Sequence, residues 1–193
     1  MAGNGRAAGG KAGVYLFWAL LAAPGIWLTW ERFVTHAKHA YVPLSGEISA
    51  ILLIVTLMIT PLMLLVGPLP WLKARRRNLG VASFLYALLH FGFWAVNSRL
   101  HEIVRSFIRP EIVTGWIATA IMLALALTST DAAVRRMGPG WKRLQRWIYP
   151  AAILTFLHWG TTDSFRQALI WSLPLILLSV WRIARARRRY GGA

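Results

Sequence analysis

The amino-acid sequence predicts an all-α membrane protein, a bundle of six transmembrane helices with both termini in the cytoplasm. Apolar residues make up 57% of the 193 residues, and the mean hydropathy is +0.52. Several apolar runs approach the about 20 residues that a helix needs to cross about 30 Å of hydrocarbon. The charged residues cluster between these runs, as they do in the loops of multi-pass membrane proteins.

The six predicted spans follow one another along the chain, and the last two are the shortest. They cover residues 14–30, 50–72, 79–95, 112–128, 147–159 and 168–181. Pro24, Pro61 and Pro174 fall inside spans, where neighbouring helices can satisfy the freed carbonyls. The chain therefore divides into a cytoplasmic tail (1–13), a transmembrane domain (14–182) and a basic cytoplasmic tail (183–193).

The distribution of basic residues predicts the orientation of the bundle, and it indicates whether the net charge of +16 favours contact with lipid or with nucleic acid. With the N-terminus inside, sixteen of the 22 Lys and Arg residues and one of the six acids fall on the inner side. This positive-inside signature predicts that both termini are cytoplasmic. The arginine-rich C-terminal tail is expected to anchor the topology and contact anionic lipid, and nucleic-acid binding is disfavoured.

His90 and His158 are the candidate metal ligands, because each lies inside an apolar run where an ionisable side chain is expensive and usually functional. His90 follows Arg77 by 13 residues and His158 follows Arg146 by 12, which places both about 18–20 Å from the inner surface. At this common depth, imidazoles from helices three and five can approach opposite faces of one haem. An iron with two imidazoles has no open position, which suits electron transfer.

The alternative is that both are core histidines bonded to backbone carbonyls or to Ser and Thr hydroxyls. The chain has no cysteine, so any haem is held non-covalently and thiolate-ligated clusters are excluded. His36 and His39 fall in the first outer loop, where a solvated role is expected. His101 is expected at the outer end of helix three, where it can cap the helix, meet a partner or approach a haem propionate.

Five sequence motifs carry a resemblance to a known family. They are ITPL (59–62), RRRNLGVASFLYALLH (75–90), IRPEIVTGW (108–116), LALTS (125–129) and WKRLQRWIYPAAILTFLH (141–158). In order and spacing they resemble the MsrQ family, also called YedZ, of the ferric reductase-like transmembrane superfamily. The resemblance covers roughly residues 45–182.

The resemblance implies a non-catalytic, haem b-binding electron-transfer subunit in the bacterial inner membrane. Such a subunit takes electrons from a cytoplasmic flavin reductase or quinol, with FMN as a further cofactor. It passes them to a periplasmic molybdopterin subunit (MsrP-like) that reduces oxidised methionines. His90 matches the ligand on the family's third helix, and His158 matches the later ligand on its fifth helix.

Four arginines receive expectations from the same matched motifs. Arg75, Arg76 and Arg77 are candidates for the phosphate of FMN or for an acidic face of the donor reductase, with topology anchoring as the alternative. Arg109, next to Pro110 on the outer side, is a candidate partner for a haem propionate or for the periplasmic subunit.

One position departs from the family pattern W-x-x-L-H-x-x-x-Y, since Gln145 replaces the histidine. Gln145 is 13 residues from His158, about 20 Å along a helix, and so cannot serve the same haem. Three outcomes stay open: a single haem, an inner site with another ligand, or a chain specialised away from methionine sulfoxide.

Two other functions compete with this one. The first is a ferric reductase-like cytochrome b with a different acceptor. The second is a non-redox transporter or assembly protein in which the histidines form a polar pathway. A proton or ion route is expected to need intramembrane acids, and none of the six acids falls inside a predicted span.

Overall fold

The chain is helical throughout the part that the computed structural model describes, residues 11–35 and 41–190. These residues form nine α-helices and one short π-helical segment, Gly160–Ser164, and they contain no strand. The helices are α1 (Lys11–Phe33), α2 (Tyr41–Val66), α3 (Pro70–Asn97), α4 (Leu100–Ser106), α5 (Pro110–Leu127), α6 (Asp131–Met137), α7 (Pro139–Gln145), α8 (Ile148–Trp159) and α9 (Phe165–Tyr190). The predicted all-α class is confirmed.

Five stretches of the described residues are long and apolar enough to cross a membrane. They are α1, α2, α3, α5 and a 47-residue stretch, Pro139–Arg185. The chain is therefore a multi-pass membrane protein. The last stretch contains the predicted fifth and sixth spans together, so the count of six spans and the orientation of the termini stay predictions.

α9 runs back along the bundle after the π-helical segment. Ala168, near its start, packs with Ala50 of α2 and Trp159 of α8. Near its other end, the guanidinium of Arg185 donates to the carbonyl oxygen of Leu64 at 3.0 Å. Ala50 lies before the middle of α2 and Leu64 lies near its end, so α9 follows about the second half of α2.

α2 does not match the predicted second span, 50–72, which is wrong at both ends. The helix begins at Tyr41 and ends at Val66. Gly67 follows with φ of 101°, a conformation that residues with a Cβ rarely adopt. Pro70 then opens α3 at a first-turn position, where the missing N–H costs no helical bond. The apolar run continues across this break, and for that reason hydropathy did not reveal it.

Small polar residues hold α2 against α3. The Ser49 hydroxyl donates to the carbonyl oxygen of Ser83, and the Ser83 hydroxyl donates to the carbonyl oxygen of Ser49, both at 2.8 Å. Both serines are buried. Small side chains let the two backbones approach closely, and the paired bonds satisfy hydroxyls that lipid cannot.

The central apolar cluster joins four helices near these serines. It consists of Leu53 and Leu57 of α2, Phe84 of α3, Met122 of α5 and Ala151 of α8. This cluster packs the α2–α3 pair against the α5–α8 pair. The arrangement fixes the relative heights of α3 and α8, the two helices that carry the candidate ligands.

α1 lies at the edge of the bundle, and Leu28 is its one buried residue. Tyr86 of α3 ties it in place, because the phenol hydroxyl donates to the carbonyl oxygen of Leu21 at 2.7 Å and accepts from the N–H of Gly25 at 2.8 Å. These two backbone groups bond each other in a regular α-helix. The hydroxyl is therefore inserted into the hydrogen-bond ladder of α1, next to Pro24.

Tyr86→Phe is expected to lower the stability of the protein by about 1 kcal/mol, since one shared hydroxyl is lost from two part-buried bonds. Tyr149→Phe is the matched control, because Tyr149 is 45% exposed and its hydroxyl has no hydrogen bond among the described residues. Thermal unfolding in detergent measures both variants. Equal melting temperatures for wild type and Tyr86→Phe would contradict the tether.

Candidate functional site

His90 and His158 face each other across the bundle. His90 lies on α3 and His158 lies at the end of α8, and both are half-buried. Their ring centres are 6.2 Å apart, and the ring planes meet at 79°. The structure therefore brings together the two residues that the sequence singled out, and their ligation of iron stays a prediction.

The separation of the two rings fits a pair of imidazoles on opposite sides of one metal ion. Each metal–imidazole bond is about 2 Å, and each ring centre lies about 1 Å beyond its nitrogen, so two such rings are about 6 Å apart. The observed 6.2 Å matches this value. Edge-to-face ring pairs show the same spacing, so the argument for ligation depends on the ring nitrogens.

Each histidine uses one ring nitrogen to bond a neighbouring helix. Nδ1 of His90 lies 2.8 Å from the carbonyl oxygen of Val42 in α2, and Nδ1 of His158 lies 2.7 Å from the carbonyl oxygen of Glu111 in α5. Because a carbonyl only accepts, each Nδ1 carries the proton and each Nε2 presents a lone pair. Neither Nε2 has a hydrogen bond among the described residues, which leaves both nitrogens available as ligands.

The alternative interpretation of the pair, core histidines bonded to carbonyls, describes only half of this arrangement. Carbonyl bonds to Nδ1 are also the contacts that orient metal-bound histidines and fix their tautomer. A histidine with a purely structural role is expected to satisfy both nitrogens, because unpaired polar atoms are costly in an apolar bundle.

Two glycines make room for the rings. A Cβ added at Gly46 of α2 would lie 2.9 Å from Nδ1 of His90, and one added at Gly115 of α5 would lie 2.9 Å from Nδ1 of His158. Real Cβ atoms essentially never approach other atoms so closely. Each imidazole thus rests directly on the backbone of the helix that accepts its hydrogen bond.

A repeated pattern in the sequence foreshadows this geometry, although the sequence interpretation missed it. Residues 44–48 read LSGEI and residues 113–117 read VTGWI, while LHFG at 89–92 recurs as LHWG at 157–160. The glycine precedes its histidine by 44 residues in the first pair and by 43 in the second. The repeat contains both candidate ligands and both glycines, so it is the signal that could have found Gly46 and Gly115.

An aromatic group connects the histidine pair to α4. Trp116 follows Gly115, and its ring centre lies 4.8 Å from that of Phe91, the residue after His90. Phe107, just beyond α4, stacks on Trp116 at 4.8 Å and is 58% exposed. The π-systems therefore continue from the ligand level to the protein surface.

Arg109 and His101 lie on the same side of the bundle as this aromatic group. Arg109 immediately precedes α5 and pairs with Glu111 at 2.7 Å, with its own side chain 61% exposed. His101 is exposed on α4, not at the end of helix three, because α3 stops at Asn97. His36 and His39 lie outside the described residues.

The three consecutive arginines of α3 do not form one site. Arg75 is 4% exposed, its guanidinium lies 5.4 Å from the ring centre of Phe17 in α1, and its Nε has no partner in the described part of the chain. Arg77 pairs with Asp131 at 2.6 Å. Arg76 lines a cavity of about 330 Å³ together with Lys73.

Gln145 occupies the position at which the family pattern has a histidine. It ends α7, and its side-chain amide donates to the carbonyl oxygen of Leu125 at 3.4 Å and to the Thr128 hydroxyl at 3.5 Å. Both partners lie at the end of α5, far from His158. Within residues 11–35 and 41–190, no second pair of histidines is available for an inner haem.

Comparison with known proteins gives a family and several relatives. The model of the ferric reductase like transmembrane component matches residues 45–156. The protein-methionine-sulfoxide reductase heme-binding subunit MsrQ of Bordetella pertussis (strain Tohama I) is 39% identical over 158 residues, 77% of this chain and 76% of the relative. No solved structure matches the chain significantly.

Two further relatives carry the same name. The MsrQ subunit of Ralstonia nicotianae is 35% identical over 167 residues, 77% of this chain and 75% of the relative. That of Xanthomonas campestris pv. campestris (strain B100) is 36% identical over 143 residues, 68% of this chain and 63% of the relative. The similarity therefore extends well beyond the segment that the family model matches.

The Arg77–Asp131 pair makes a pH-dependent contact at the end of the bundle that holds Gln145. The hydrogen bond from Arg77, followed by its charge, holds the pKa of the Asp131 carboxyl below its usual value. A carboxyl with a lowered pKa adds stability above its unfolded-state pKa and loses that stability as the pH falls through the folded-state pKa.

Arg77→Gln is therefore expected to raise the pKa of Asp131 toward the ordinary value. Arg76→Gln is the matched control, because no contact joins Arg76 to Asp131 among the described residues. NMR titration of the Asp131 carboxyl in detergent measures the shift. An unchanged titration midpoint in Arg77→Gln would show that the ion pair does not form in solution.

Proposed function

This chain belongs to the MsrQ family of the ferric reductase-like transmembrane proteins, and we propose that it is the haem b-binding subunit of a protein-methionine-sulfoxide reductase. In this role it carries electrons through the membrane to a separate catalytic subunit. The chain itself performs no chemistry on methionine sulfoxide.

The facing imidazoles of His90 and His158 are the observation that carries the proposal. Their spacing, their protonated Nδ1 atoms and their open Nε2 atoms match the donor set of a bis-imidazole haem. The absence of cysteine excludes the thioether attachment of c-type haem, which is consistent with a non-covalent haem b. Gly46 and Gly115 leave the space in which the rings are held.

A haem held by these two imidazoles would supply one-electron transfer. His90 and His158 hold the group from two different helices. The apolar cluster of α2, α3, α5 and α8 lies about two helical turns from the pair and holds the two helices together. Phe91, Trp116 and Phe107 offer a continuous aromatic route from the ligands to the surface beside α4.

The proposal includes a six-span topology with both termini cytoplasmic in the bacterial inner membrane. It is supported by the positive-inside distribution of charge and by the return of α9 along α2. With this orientation, α4 and the exposed Phe107 face the periplasm. A periplasmic molybdopterin subunit of the MsrP type is then the electron acceptor, and Arg109 lies on the face that it approaches.

The electron donor in this proposal is a quinol or a cytoplasmic flavin reductase. The histidine pair lies about 20 Å beyond the arginines of α3. No second histidine pair bridges that distance in the described residues. A quinol, which reaches the pair through the lipid, therefore fits this geometry better than a reductase confined to the cytoplasm.

FMN as a further cofactor has a single supporting observation. Arg76 and Lys73 line one cavity between α2 and α3, where a phosphate group meets two positive charges. Arg77 is engaged by Asp131, and Arg75 is buried against α1, so neither adds to this cavity.

A polar pathway in a non-redox transporter is the second candidate function, and one correction to the sequence interpretation favours it. Because α2 begins at Tyr41, the half-buried acid Glu47 lies inside a candidate span, next to the glycine that touches His90. An intramembrane acid beside a histidine is the usual sign of a proton route. Absence of haem from protein expressed with sufficient haem would support this function over electron transfer.

His90→Ala and His158→Ala are each expected to abolish haem binding while leaving the protein in the membrane, because one axial ligand is lost. His101→Ala is the matched control, since His101 is exposed on α4. The reduced-minus-oxidised visible spectrum of each purified variant measures the outcome. Full haem in both ligand variants would refute the proposed pair.

Wild-type protein is expected to contain one haem per chain. The inner position of the family pattern holds Gln145, and an amide is a poor ligand for haem iron in place of imidazole. The pyridine haemochrome assay, combined with amino-acid analysis, gives the ratio. Two haems per chain would mean that an inner site exists with a ligand other than histidine.

A further inference from the structure

We propose that Gly46 and Gly115 are positioning residues, which let each imidazole reach its carbonyl acceptor and thereby set the ring plane and the spacing of the two imidazoles that ligate haem. This inference rests on the proposed function, because it concerns the same pair of ligands. It goes further by assigning the geometry of the site to two residues that never contact iron.

The first argument is the contact distance. An alanine Cβ at Gly46 would lie 2.9 Å from Nδ1 and 3.1 Å from Cε1 of His90. At Gly115 it would lie 2.9 Å from both Cε1 and Nδ1 of His158. A rigid imidazole has two side-chain torsions and no flexible end, so it can relieve the contact only if the whole ring or the helix moves.

The second argument is the position of the hydrogen-bond acceptor. Val42 precedes Gly46 by four residues, and Glu111 precedes Gly115 by four. Residues four apart lie above one another on the same face of a helix. Each ring therefore lies along one stripe of backbone, where the glycine admits it and the carbonyl takes its Nδ1 proton.

The third argument is the repetition of this device in two separate helix pairs. α2 holds the ring from α3, and α5 holds the ring from α8, with the same four-residue offset. Of the glycines in residues 11–35 and 41–190, these two alone would place a Cβ against a histidine. Gly92, two residues after His90 on α3, would meet nothing within 4 Å.

The orientation of the rings bears on the properties of the bound group. Hydrogen bonds from ligand imidazoles and the direction of the rings are among the levers by which a protein sets a haem reduction potential. Two imidazole planes near 79° also predict a highly anisotropic low-spin EPR signal for the oxidised protein. A displaced ring changes both quantities.

The test compares Gly46→Ala and Gly115→Ala with Gly92→Ala in the full-length protein. Haem affinity, the EPR spectrum and the midpoint potential are measured for each variant. Both test variants are expected to lose about 10- to 100-fold in haem affinity, as is usual when the contacts that orient a ligand are removed. The haem that they retain is expected to show a shifted EPR signal and potential, while Gly92→Ala matches wild type.

A double variant keeps the test decisive when the single variant folds poorly. In a His90→Ala background the ring is absent, so Gly46→Ala is expected to cause no further loss of stability or yield. The difference between the two backgrounds is the coupling between glycine and ring. An equal loss in both backgrounds would show that Gly46 serves helix packing and would overturn the inference.

Two outcomes separate this inference from the proposed function. Wild-type affinity, EPR signal and potential in both glycine variants, with haem still lost in His90→Ala and His158→Ala, would refute the inference alone. Retention of haem in the histidine variants would refute the proposed ligands and the inference together. Equal shifts of the EPR signal and the potential in Gly46→Ala and Gly92→Ala would also refute the inference, because any added methyl group would then have the same effect.

Discussion

The structure depends on one constraint, which is that a protonated ring nitrogen in an apolar bundle needs an acceptor. For His90 and His158 that acceptor is a backbone carbonyl of a neighbouring helix, at 2.8 and 2.7 Å. Each bond fixes one helix pair, α2 with α3 and α5 with α8, at a height that cannot slip by a residue. The central cluster then packs the two pairs together, and the two rings lie 6.2 Å apart between them.

Such a bond requires the ring to lie almost on the partner helix, and small residues provide the approach. In the α2–α3 pair, Ser49 and Ser83 exchange hydrogen bonds three residues beyond Gly46 and seven before His90. The same offsets in the α5–α8 pair give Ala118 and Ala151, which are both buried. Serines and alanines meet the steric requirement alike. The hydrogen bond itself needs a histidine and a backbone carbonyl, and both helix pairs contain these two groups.

The sequence was sufficient to predict the helical class and the proximity of His90 and His158, because cost in lipid and helical rise are local properties. It did not predict what holds the rings. Every residue has a backbone carbonyl, so the sequence does not show which one accepts a hydrogen bond, and a glycine alone does not show which side chain it makes room for. The end of α2 was also wrong, because Gly67 breaks the helix by its φ while the apolar run continues. The hydrogen bonds that Tyr86 of α3 makes with the backbone of α1 depend on packing between distant segments, and no sequence pattern indicated them.

The two helix pairs are alike at the level of the histidines and unlike at their other ends. At that end, the three arginines of α3 have different surroundings, which are Phe17, a cavity and Asp131. The segment before α8 instead carries Gln145, which is hydrogen-bonded to the end of α5. No repeated motif joins these two ends. The facing histidines therefore occupy one level of the bundle, about 20 Å from the arginines. The proposed haem would receive its electrons near that level, which is the reason for proposing a donor dissolved in the lipid.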